Sequence, residues 1–135
     1  MKLENQVCSL ELAKQLKDLG FEQESYFYYS NKIGKIVGSS YKETHNCLKF
    51  ISAYTVAELG EMLPMNIWYK HNHFPKEDDD RNYILEIHKN VKTWEINYWW
   101  KENGKCFNLC PTFESDTEAN TRAKMLIYLK ENNLI

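Results

Sequence analysis

Residues 92–101 constrain this chain more than any other segment. Trp94, Ile96, Tyr98 and Trp100 fall on one side of an extended chain, and Thr93, Glu95, Asn97 and Trp99 on the other. Alternation at period two marks a half-buried antiparallel strand, because successive side chains leave opposite faces. Asn103-Gly104 follows. That pair suits a type I′ turn, which needs φ > 0 at both central positions, so the chain should return in a strand through 106–109. A chain that carries this unit must build a sheet and must cover the Trp94 side of it.

The cover should come from helices. Ser9 stands ahead of Leu12, Ala13, Leu16 and Leu19 at helical spacing, with Glu11, Lys14, Gln15, Lys17 and Asp18 on the other face. Gly20 sits where a left-handed C-terminal cap is wanted, and Phe21 can fold back onto the last turn. Thr55-Val56-Ala57-Glu58 reads as a capping box opening a short helix with Val56, Leu59 and Leu63 on one face, ended by Pro64. Ser115-Asp116-Thr117-Glu118 reads as a second box, opening a helix with Ala119, Ala123, Leu126 and Ile127 on one face, widened by Met125 and Leu129. The aromatic run 25–30 and the segment 33–37, broken at Asn31-Lys32 and Gly34, predict a hairpin. Further strands are expected over 66–71 and 82–88, and a loop over 38–44.

No repeat, Pro-rich linker or low-complexity tract divides the 135 residues. The expected fold is a single α+β domain over 1–135: an antiparallel sheet flanked by about three helices, an α-β-α sandwich-like arrangement. Hydrophobic residues at 43% and charged residues at 27% fit a globular chain rather than a disordered one. The N-terminus has no apolar leader, and no run approaches the ~20 apolar residues that span a bilayer. A cytoplasmic location is therefore expected, with Cys8, Cys47, Cys106 and Cys110 reduced.

Three stretches carry a family resemblance: Ser9-Leu10-Glu11-Leu12-Ala13-Lys14-Gln15-Leu16-Lys17-Asp18-Leu19-Gly20-Phe21, Ile51-Ser52-Ala53-Tyr54-Thr55-Val56-Ala57-Glu58-Leu59-Gly60-Glu61-Met62-Leu63-Pro64, and Ala119-Asn120-Thr121-Arg122-Ala123-Lys124-Met125-Leu126-Ile127-Tyr128-Leu129-Lys130-Glu131-Asn132. They resemble small phage- and prophage-encoded proteins similar to the phage ABA-sandwich domain family. The resemblance covers the three helices, somewhat over a third of the chain, and implies fold, a phage or prophage origin and hence a bacterial host cell. It supplies no active site to carry over.

Several constellations could carry chemistry. His71-Asn72-His73 places two imidazoles on one side of a strand, and Cys106-x3-Cys110 could add two thiolates for a tetrahedral zinc ion. Both spacings are looser than paired Cys-x2-Cys knuckles, and surface histidines beside structural thiols are the plainer reading. Cys47 with His45 two residues away is a nucleophile-base pair in outline and a core thiol beside a surface histidine otherwise. Glu77-Asp78-Asp79-Asp80 offers oxygen ligands to Mg²⁺ or Ca²⁺ but lacks the spaced donors and central glycine of a calcium loop. Trp99, near Lys92, Lys101 and Lys105, is the candidate nucleic-acid contact, because bases stack on exposed rings between basic side chains. The formal net charge of −2 supplies no overall positive field to support it.

No catalytic set, phosphate-cradling loop or cofactor motif is recognisable, and no cofactor is expected. The expected function is a non-enzymatic accessory protein acting through protein contacts, with itself or with another chain. A single-strand-binding module on the aromatic sheet is the alternative, and an enzyme of unknown class the third.

Overall fold

In the computed structural model, which describes residues 2–45, 49–70 and 80–135, Ser9 caps helix α1 (Leu10–Asp18). Its side chain accepts from the Leu12 amide at 3.4 Å. Gly20 ends the helix at φ +84°, and the Phe21 amide returns to the Leu16 carbonyl at 3.1 Å. A residue with a Cβ is strained at that φ, so glycine is the expected stop.

The aromatic hairpin forms from β1 (Phe27–Ser30) and β2 (Lys35–Gly38), and β3 (Phe50–Ser52) pairs with the other edge of β1. No strand is expected over Phe50–Ser52 from local pattern, and β3 forms there by pairing with β1. Residues 38–44, expected as a loop, instead contain helix α2 (Ser39–Thr44). Its sequence has no apolar period, and short helices draw their stability from tertiary packing. Here Tyr41 meets Phe50 edge-on at 6.4 Å, and Lys42 lies over the Tyr28 ring at 4.2 Å while donating to the Gln23 carbonyl at 3.3 Å.

Helix α3 (Val56–Met62) opens with the expected capping box, the Thr55 side chain accepting from the Glu58 amide and Glu58 accepting from the Thr55 amide. A larger antiparallel sheet follows. It contains β4 (Asn66–Lys70), β5 (Asp80–Lys89), β6 (Trp94–Glu102) and β7 (Lys105–Asn108) in that order. β8 (Phe113–Ser115) lies beside β6 on the same side as β7. The β6–β7 turn has Asn103 at φ 48° and Gly104 at φ 78°, as a type I′ turn requires.

Helix α4 (Glu118–Glu131) starts two residues later than its capping motif implied. Ser115 is the last residue of β8, opposite Trp94, and cannot also cap a helix. Thr117 caps instead, accepting from the Asn120 amide at 3.3 Å. Asn120 then accepts from the Ser9 amide at 2.7 Å, tying the starts of α1 and α4 together. Glu118, freed from the expected box, pairs with Arg122, whose Nε donates to it at 2.9 Å.

The α+β class with helix-flanked antiparallel strands is as expected, but the strands divide over two sheets. Helix α1 packs on β3, α4 packs on β6 and β8, and the two helices pack on each other. The helices thus lie between the sheets, while α2 packs on β1 and β2. Ala119, Thr121, Ala123, Met125, Leu126, Ile127 and Leu129 of α4 are buried, the pattern of a helix covered on several sides. Buried and half-buried tyrosines need partners for their hydroxyls. Tyr29 donates to the Cys8 carbonyl at 2.7 Å, Tyr98 to the Pro64 carbonyl and Tyr54 to the Glu22 carbonyl.

Candidate interaction surface on the open sheet face

The two faces of the large sheet differ. Ile96 and Tyr98 are fully buried, and with Trp94 and Trp100 they form the side on which α4 lies, so the strand register is as expected. Tyr83, Leu85 and Ile87 of β5 and Ile67 of β4 share this inner face through direct strand pairing. At its far end the Trp100 and Phe107 rings meet tilted at 5.1 Å, and the Arg81 guanidinium lies 4.1 Å above the Trp100 ring.

The opposite face carries no helix among the described residues. It presents Trp68 from β4, Ile84 from β5 and Trp99 from β6. Trp68 is 67% exposed and Ile84 47%, while Trp99 is half-buried. Ile84 is the direct cross-strand partner of both Trp99 and Asn66, and Trp68 lies diagonal to it. Diagonal neighbours are within reach of aromatic rings, so the three side chains form one apolar strip across the sheet. Asn82 and Asn97 flank it, each with a buried Oδ1 that accepts no hydrogen bond among the described residues. Glu86, His88 and Glu95 lie beyond, with His88 Nε2 3.0 Å from Glu95.

The lysines expected around Trp99 do not gather there. Lys101 shares its face, two residues along β6. Lys105 pairs with Glu102 and so belongs to the opposite face. Lys92 lies beyond the start of β6, roughly 20 Å along the strand at about 3.3 Å per residue. With Glu86 and Glu95 present, this face is not a basic strip. Trp99 is partly covered, though by no helix among the described residues.

The metal candidates also divide. Cys106 is exposed and pairs with Lys101 on the open face, whereas the Cys110 thiol is buried, 3.8 Å from the Met125 sulfur of α4. Burial pushes the Cys110 thiol up from its ordinary range. His71, His73 and residues 77–79 lie outside the described residues, as does Cys47. Among the described residues no cluster of three or more His, Cys, Asp or Glu is placed to hold a metal. His45 stacks on Tyr41 at 4.0 Å, and its Nδ1 lies 3.0 Å from the Tyr41 carbonyl, a structural engagement at the end of α2.

Two of the cavities elsewhere among the described residues involve helix caps. One, of about 550 Å³, is lined by Glu24, Tyr26, Tyr28, Lys42 and Glu58 among others. Its polar groups serve the fold: Glu58 accepts from the Tyr26 amide at 3.0 Å and completes the α3 cap. The other, of about 600 Å³, lies between the starts of α3 and α4, where Thr55 and Thr117 act as caps.

Sequence reasoning missed Trp68 and Ile84. The signal was present in 82–88, where Tyr83, Leu85 and Ile87 alternate with Asn82, Ile84, Glu86 and His88. Ile84 is the one apolar residue on the polar side of that alternation.

Comparison of the chain with family models, with curated proteins and with solved structures finds no match. No helix among the described residues is long and apolar enough to cross a membrane.

Proposed function

We propose that this chain is a non-enzymatic accessory protein of phage or prophage origin that works by protein contact, through the open face of its larger sheet. One observation carries the reading: Trp68 stands 67% exposed beside Ile84 and Trp99 on a face without a helix among the described residues. Contiguous exposed apolar side chains rimmed by polar ones mark contact surfaces, and tryptophan is the residue most enriched at their energetic centres. The likeness of the three helix segments to small phage-encoded proteins supports the phage or prophage origin.

The test is affinity capture with the wild-type chain and a Trp68→Ser variant of unchanged circular dichroism. A central tryptophan contributes about 2 kcal/mol or more, so the variant should lose its partner about thirtyfold or more in affinity. Capture that is indifferent to Trp68 and Ile84 refutes the reading. The single-strand alternative makes a different demand: salt-sensitive oligonucleotide binding lost with Trp99→Ala. The separated lysines and the two glutamates favour the protein partner, and a fluorescence titration at low salt should show no binding.

A further inference from the structure

The open face ends at β4, and the geometry of that edge points to a second copy of this chain as its occupant. We propose that two chains join antiparallel along β4 about a two-fold axis at Trp68; this rests on reading the Trp68 face as an interaction surface and names what covers its edge.

The direction of the main-chain groups sets the register. The Leu85 amide donates to the Met65 carbonyl at 3.0 Å, so Met65 faces β5. Main-chain groups alternate along a strand, so Ile67 and Tyr69 face β5 as well, and Asn66, Trp68 and Lys70 direct their N–H and C=O groups away from it. Among the described residues β4 pairs with β5 alone. Natural sheets blunt such edges with charge, proline or a bulge. The centre of this strand, Ile67-Trp68-Tyr69, has neither charge nor proline.

An axis at Trp68 sets Trp68 against Trp68 of the second copy, Asn66 against Lys70, and Ile67 against Tyr69. Every outward N–H and C=O of Asn66, Trp68 and Lys70 then finds a partner. Moving the axis to Ile67 sets Lys70 against Pro64, which has no N–H to donate, so the Lys70 carbonyl goes unpaired. At the Trp68 axis the central residues Ile67, Trp68 and Tyr69 meet one another, and none of them is charged. Helix α4 lies over β6 and β8, away from this edge, and does not obstruct it. Directly opposed residues on antiparallel strands project to one face, so the two Trp68 rings become neighbours. The two Trp68–Ile84–Trp99 strips then merge across the axis.

The test is sedimentation of the full chain over a concentration series, with amide exchange at Asn66 and Trp68. The expected result is a concentration-dependent dimer in which these two outward amides are protected. Asn66→Pro removes an outward N–H that β5 does not use, so the ladder within each chain survives. Trp68→Lys sets two ammonium groups against each other at the axis. Each variant should keep its circular dichroism and weaken self-association by about tenfold or more. A wild-type chain that stays monomeric throughout overturns the proposal, as does a dimer indifferent to both variants. A monomer that still captures another protein through Trp68 overturns the dimer and leaves the contact-face reading standing. A monomer whose capture ignores Trp68 overturns both.

Discussion

Replacing Ile96 and Ile84 by alanine, one at a time, removes the same atoms from opposite faces of one sheet. Ile96 is fully buried and opposite Ile87 on one neighbouring strand and Phe113 on the other. Truncation removes three methyl or methylene groups at about 0.8 kcal/mol each, about 2.4 kcal/mol of transfer free energy. The space left behind adds about 1–2 kcal/mol at about 24 cal/mol per Å³, because packed neighbours relax only partly. Ile96→Ala should therefore cost about 3.4–4.4 kcal/mol. Ile84 is 47% exposed, which roughly halves the transfer loss, and solvent fills the space. Its truncation should cost about 1 kcal/mol. Urea unfolding followed by circular dichroism measures both, and an unchanged slope with denaturant shows that the midpoint shift reports stability. Equal costs, or a larger cost at Ile84, would mean that the Trp68 face is covered in solution by the chain itself. That result would refute the assignment of inner and outer faces and the interaction surface built on it.

Thr117→Ala should destabilise the protein by about 0.5–2 kcal/mol through loss of the α4 cap, whereas Ser115→Ala, in β8, should stay within about 0.5 kcal/mol in the same urea experiment. A Cβ at Gly60 would lie 2.7 Å from Arg122 Nη1, so Gly60→Ala should gain little alone; combined with Arg122→Ala it should realise more of the ~1 kcal/mol helix preference of alanine, as a double-mutant cycle would reveal. Burial pushes the Cys8 thiol from 9.0 to about 12, so an aromatic disulfide reagent at pH 8 should label exposed Cys106 and spare Cys8 until the chain unfolds. Burial also raises the Tyr29 and Tyr54 hydroxyls from 10.0 to about 12. Each of these groups binds its proton more tightly when folded, so their contribution is complete below the unfolded values and is lost as pH rises. Stability should fall between about pH 9 and 12, and a midpoint that is flat across that window would contradict the burial of all three.

Much of the fold was legible because its signals are local. The φ preferences of Gly20 and of Asn103-Gly104 stop α1 and turn β6 into β7 without reference to distant residues. The box at Thr55 closes between residues three apart, and the alternation through Trp94–Trp100 needs only the pleat of a strand. What the sequence left open depends on partners distant along the chain. Helix α2 has no apolar period and exists because Tyr41 and Lys42 find Phe50, Tyr28 and Gln23. Ser115 could cap a helix as well as Thr117 could, until pairing with Trp94 drew it into β8. The candidate surface lies wholly on this second side. Period-two patterns assign residues to two faces of a strand, but only the placement of α4 determines which face water sees, so the exposure of Trp68 and Ile84 was decided by tertiary packing.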